Sequence, residues 1–127
     1  MSSRKNARRT ALTLLYQWDL TGQPLASLHT GDIDPFTAEI TAKVIDRFEG
    51  IDARISAVSG DWPVDRLGVV ERSVLRMAIV ELDDKEIPHE VVINEAVALA
   101  KRFSSEEAAR LVNGILGRIN RDTQETR

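Results

Sequence analysis

Apolar residues recur at helical spacing along almost the whole chain, while strand-like alternation is sustained almost nowhere. Phe36, Ile40, Val44 and Phe48 repeat every four residues, and Ile51, Ile55 and Val58 continue the row. Such a row lies on one side of a helix, so its burial needs other helices rather than a sheet. The pattern predicts an all-α fold and excludes sheet-based architectures.

Punctuation divides the pattern into helices. A first helix from Arg4 to Leu20 is ended by Gly22 and Pro24, followed by a loop with one short turn around Leu25 to Leu28. Asp34 and Pro35 form an N-cap with proline in the first helical position, and Gly50 is the weak point of the helix they open. Val70, Val74, Met77, Ala78 and Leu82 define a third helix, fading in "DDKE". Pro88 opens a fourth that carries Val92, Ala96, Leu99 and Phe103. Ser104 and Glu107 have capping-box spacing ahead of a last helix bearing Ala108, Leu111, Val112, Ile115 and Ile119. Trp62 and Pro63 break the periodicity and mark a subdomain boundary within one 1–127 domain: residues 1–61, then 62–122, then a polar, fraying tail 123–127.

Composition narrows the class of function. The 127 residues include no cysteine, no apolar run of membrane-spanning length and no apolar signal-peptide region, so a soluble, intracellular protein is expected. Of 17 basic residues, four (Arg4, Lys5, Arg8 and Arg9) fall in the first ten positions, which hold no acid. The remaining 117 residues hold 13 basic against 20 acidic side chains. Cations at a helix N-terminus oppose the macrodipole, so an external anion is a reason for their placement. The balance fits a small basic footprint on an acidic body.

On a helical wheel Lys5, Arg9, Leu12 and Tyr16 fall within about 60° of one another, with Ala7, Ala11, Leu14 and Trp18 on another side. Cations beside an aromatic ring suit single-stranded nucleic acid, through phosphate neutralisation and base stacking. A solvated helix end with a half-buried tyrosine fits the same residues. Phe103, in "KRFSSEE", is either a second stacking residue beside Lys101 and Arg102 or the last member of a core stripe. Asn113, Gly114 and Gly117 in "VNGILG" interrupt an apolar pattern, which calls for close approach of another backbone, with a GxxG nucleic-acid clamp as the sharper alternative.

Catalytic constellations are absent from the pattern. His29 and His89 are isolated, no phosphate-binding glycine loop follows a strand, and the pairs Asp83/Asp84 and Glu106/Glu107 belong to helix ends, where capping and solvation account for them. Neither a metal, another cofactor nor an enzymatic activity is expected.

The segments "RLGVVERSVLRMAIVEL", "IPHEVVINEAVALAKRFS" and "LVNGILGRI", with the opening "ARRTALTLLYQWDL", resemble the NusB transcription antitermination factors over nearly the whole chain. The resemblance implies two three-helix subdomains packed across one another. It also implies binding of boxA RNA in ribosomal RNA transcripts, jointly with the small-subunit ribosomal protein NusE, in a complex that acts on RNA polymerase in the cytoplasm. On the family pattern Arg4, Lys5, Arg8, Arg9, Tyr16 and Phe103 face RNA with Glu107 nearby, and Glu71 meets the ribosomal partner. Glu107 replaces an aspartate and Leu111 a phenylalanine common among relatives. Asn94, Glu95 and Asn113 match family motifs and are assigned to helix packing and hydrogen bonding. Two other functions remain open: a module assisting an RNA methyltransferase in trans, and a purely protein-binding scaffold. The residues also leave a homodimer open.

Overall fold

The described residues form five α-helices, α1 (Arg4–Thr21), α2 (Pro35–Val58), α3 (Val69–Asp84), α4 (His89–Phe103) and α5 (Glu106–Glu125), with longer connections flanking α2 and short ones flanking α4. The connections hold two 3-10 turns, Leu25–Ser27 and Val64–Arg66, and no strand occurs among the described residues. This computed structural model describes residues 3–60 and 64–125; the proposed boundary at Trp62 and Pro63 lies outside them.

Local chemistry sets the helix ends. The Ser3 hydroxyl accepts from the Asn6 N–H at 3.1 Å, and α1 stops at Gly22, whose left-handed backbone (φ 70°) returns its N–H to the Trp18 carbonyl. Asp34 accepts from the Phe36 N–H at 2.8 Å, with Pro35 in the first turn as expected. Gly50 does not interrupt α2, which runs through it for 24 residues. A glycine costs such a helix about 1 kcal/mol, less than burial of the flanking Ile51 and Ile55 contributes.

The last helix departs from the expected capping box. Ser105, not Ser104, caps α5, its hydroxyl accepting from the Ala108 N–H at 3.0 Å. Ser104 instead donates to Glu71 across the α3–α5 junction. Only Ser104 has the capping-box spacing, to Glu107, whereas Ala108 stands three residues after Ser105, so the cap that forms is a simple hydroxyl cap without the reciprocal carboxylate.

Helix α3 is the centre of the molecule. Every residue from Ser73 to Glu81 is buried, so neighbours surround it on all sides. One cluster, including Leu15 of α1, Val44 of α2, Ile79 of α3, Val92 of α4 and Leu116 of α5, draws from all five helices. Among the described residues the N-terminal part contributes two long helices and the 3-10 turn Leu25–Ser27, the C-terminal part the 3-10 turn Val64–Arg66 and three helices.

Two of the buried α3 residues are charged. Arg76 makes a bidentate bond to Asp52 of α2 (2.8 and 2.7 Å) and reaches Asp19 of α1 at 3.1 Å. Its guanidinium stands 5.8 and 5.7 Å from the ring centroids of Trp18 and Phe48, themselves packed edge to face. Arg72 holds the same Asp19 with two bonds, which keeps its guanidinium above its usual pKa despite partial burial. At the other end of α1, Arg8 pairs with Glu81 at 3.0 and 2.7 Å. Thr37 of α2 also donates to the Ala7 carbonyl at 2.8 Å.

Breaking a buried pair strands its partner's charge, whereas replacing both partners by apolar groups does not. Glu81→Leu should therefore lower unfolding free energy by about 3–5 kcal/mol. The Arg8→Met/Glu81→Leu double variant should recover most of that loss in urea denaturation. Equal destabilisation in both proteins would show that the pair is not the source.

Candidate nucleic-acid interface

The exposed face of α1 is a stripe. Lys5, Arg9, Tyr16 and Leu20 fall within about 60° on the wheel, opposite the buried Ala7, Ala11, Leu14 and Leu15. Lys5, Tyr16 and Leu20 are exposed and Arg9 is half-buried. Leu12, expected on this face, is buried at its edge. The run from Lys5 to Tyr16 measures about 16 Å at 1.5 Å per residue.

Arg8 does not belong to the stripe. It is 4% exposed, its carboxylate partner Glu81 is 8% exposed, and Phe36 lies 5.4 Å below its guanidinium. A phosphate can reach it only by displacing a buried bidentate partner, so its expected RNA contact is corrected to a structural one. The wheel contained the signal, because Arg8 lies within about 60° of both Ala11 and Leu15, on the apolar side. Arg4 is exposed, but its guanidinium rests over the Phe36 ring, 4.3 Å from the centroid, on the α2 side of the helix.

Helix α4 lies alongside the basic end of α1. Lys5, Arg9, Glu95, Ala98, Leu99 and Arg102, together with the Glu81-paired Arg8, line a groove of about 130 Å³ between the two helices. Glu95 bonds Lys5 across it at 3.3 Å. Arg102, which the sequence reading set beside Phe103 without a role of its own, thus joins Lys5 and Arg9. Its guanidinium is 5.3 Å from the Phe103 centroid. Phe103 is 45% exposed and Tyr16 39%, so neither ring is committed to the core.

Glu71 and Glu107, assigned from the family pattern to different ligands, line the same groove. It measures about 450 Å³ and is also bordered by Arg66, Gly68, Arg110 and Leu111. Glu71 is half-buried, folded back over Gly68 and held by Ser104. Its carboxylate therefore presents a fixed acceptor beside the exposed Glu107.

Other motif residues act differently from expectation. Nothing lies within 4 Å of a Cβ placed on Gly114 or Gly117, so no second backbone approaches "VNGILG". Asn94 and Asn113 are exposed rather than packed between helices. Asp83 and Asp84 do more than cap or solvate a helix end: Asp83 pairs with Arg54, and Asp84 with Lys43 and Arg47. Lys43 is held above its usual pKa by its bonds to Asp84 and Glu39. Glu106 does pair, with Lys101 at 3.5 Å.

Chemically, the α1–α4 surface offers cations, two exposed rings and one carboxylate acceptor, a set suited to an anionic polymer with stackable bases. The NusB family profile matches residues 5–121. The chain belongs to the NusB family.

NusB transcription antitermination proteins of Rubrobacter xylanophilus and an Exiguobacterium species are 40% and 42% identical to it. They match over 90% and 91% of this chain and 87% and 95% of their own. A chain in the crystal structure of antitermination factors NusB and NusE in complex with dsRNA superposes with a TM-score of 0.83 at 32% identity, over 94% of this chain and 96% of that one. NusB of T. maritima gives 0.81 at 33% identity, over 94% and 92%. The helical architecture is thus that of solved NusB structures. Among the described residues no group of three or more His, Cys, Asp or Glu is placed to hold a metal, and no helix is long and apolar enough to cross a membrane.

Gly114 is exposed within α5, with open space beside it. Gly114→Ala should therefore raise stability, by up to about 1 kcal/mol, through helix propensity alone. Thermal denaturation checks this, and a loss of stability would mean that a contact is made there after all.

Proposed function

We propose that this chain is a non-catalytic, cytoplasmic transcription antitermination factor. It binds boxA-type RNA of ribosomal RNA transcripts as a single strand, together with NusE, and the complex acts on RNA polymerase. The observation that carries the reading is the pairing of the exposed α1 stripe with an exposed Phe103 across the α1–α4 groove, in a chain of this family. Solvent-exposed rings beside cations are what a folded core would avoid and a nucleic-acid surface uses.

Within this reading Lys5 and Arg9 take phosphates and Arg4 takes one at the rim. Tyr16 and Phe103 stack on bases, Glu107 lies at the edge of the RNA, and Arg8 holds α1 in place. Glu71, fixed by Ser104 in the neighbouring groove, meets the ribosomal protein. The division at residues 61 and 62 is proposed as the line between two subdomains that share the α3-centred core.

Each phosphate contact on a single strand contributes about 0.7 to the magnitude of the log–log salt slope. Lys5→Ala/Arg9→Ala should flatten that slope by up to about 1.4 and weaken boxA-like and scrambled RNA alike, since phosphate contacts carry no sequence information. Tyr16→Ala should cost about 1–3 kcal/mol of binding with little change in slope. A folded double variant with the parent's affinity and slope would remove the stripe from the interface.

Glu71→Lys should abolish capture of NusE in calorimetry while leaving RNA binding by the isolated chain unchanged. Unaltered NusE affinity would remove Glu71 from the partner surface.

A further inference from the structure

Glu95 is out of place in a site that serves phosphates alone. It is an acceptor-only carboxylate on the floor of the α1–α4 groove, and its side chain is 22% exposed. Around it stand Lys5, Arg9 and Arg102, with Arg8 behind them already paired to Glu81, and Ala98 and Leu99 form an apolar wall. A phosphate placed there would meet the carboxylate as well as the cations. A flat group with donors on one edge would satisfy all parts: its edge meets Glu95, its face rests on the apolar wall, and its flanking phosphates meet the cations. Among the described residues Glu95 makes one ion pair, with Lys5 at 3.3 Å, and the Lys5 side chain is 66% exposed and free to turn outward on a flexible stem.

Given the RNA-binding reading, we infer that this groove takes the Watson–Crick edge of one unpaired guanine, with Glu95 accepting from its N1–H and N2–H groups. Single-stranded RNA is commonly read on this edge. Guanine alone sets two donors side by side there, matching the two carboxylate oxygens. Adenine and cytosine place a ring-nitrogen acceptor beside their amino group, and uracil flanks its one N–H with two carbonyls. Each of those would turn a lone pair toward Glu95. A ribose hydroxyl offers a single donor and leaves one oxygen unmatched. Lys5 moves from Glu95 to a neighbouring phosphate as the base enters.

The test is an anisotropy titration of the full chain with NusE present. It uses a boxA-like single strand in which each guanine is replaced in turn by inosine, adenosine or 2′-deoxyguanosine. At one position the parent should lose about 5- to 150-fold affinity with adenosine, the range expected for a bidentate base contact. It should lose less with inosine, which lacks the N2 amino group, and little with deoxyguanosine. Glu95→Gln should move the preference at that position from guanine towards adenine, because an amide offers one donor and one acceptor. An equal gain for every RNA in Glu95→Gln would make Glu95 merely the counter-ion of Lys5 and overturn the inference. Indifference of the parent to inosine and adenosine at every position would do the same without any variant. A loss with deoxyguanosine but not inosine would transfer the contact to ribose and also overturn it. Failure of the parent to prefer boxA-like over scrambled RNA would sink the broader RNA-binding reading instead.

Discussion

The buried guanidinium of Arg76 is the constraint around which the other helices are arranged. It projects from the helix that every other helix touches and holds carboxylates on two of them, Asp19 on α1 and Asp52 on α2, while Trp18 and Phe48 flank it. A charge removed from water must be matched on several sides, and that requirement is directional in a way that apolar contact is not. Apolar faces alone would tolerate some rotation of α1 and α2 about their axes. The Arg76 pairs do not, because only one rotation of each helix brings its aspartate to the guanidinium.

Helix α1 is held in this way at both ends. Arg8 engages Glu81 near its start, and Asp19 engages Arg72 and Arg76 near its finish, about 16 Å further along the axis. Between them Leu12 and Leu15 enter the core. The exposed side of the helix is thereby fixed in orientation before any ligand arrives. Pre-organisation of this kind lowers the ordering cost of binding. Two arginines adjacent in sequence have opposite duties: Arg8 faces inward and fixes the helix, while Arg9 faces the groove.

Much of this was legible in the residues, for identifiable reasons. Helix boundaries at Gly22, Asp34–Pro35 and Pro88 followed from local backbone chemistry, which needs no tertiary information. The exposure of Phe103 did not follow, because a phenylalanine at the end of an apolar stripe has the same spacing whether the neighbouring helix covers it or turns away. Arg8 was misread because a run of four cations invites a single explanation. Its angle beside Ala11 and Leu15 pointed inward, but its carboxylate partner is 73 positions away in sequence. The Ser104–Glu71 bond and the α1–α4 groove were equally invisible, since both depend on how helices distant in sequence come together.

The acidic body and the shortness of the basic surface also bear on why a second protein belongs in the proposed complex. Once Arg8 is assigned to the core, the α1–α4 surface offers Lys5, Arg9 and Arg102, while Arg4 rests over Phe36 on the α2 side of α1. Release of counterions scales with the number of phosphates neutralised, and a footprint this small supplies only a shallow salt dependence and a modest affinity. Beyond about 8–10 Å at physiological ionic strength the excess of acids elsewhere is screened, so it does not oppose the local contact. Affinity must then come from a strand shared with a partner. A partner docked on the groove of Glu71, whose carboxylate accepts from Ser104, the residue next to Phe103, would lie close enough to hold the same strand. Linked contacts of this kind raise the effective concentration of the second site without adding any contact to the first.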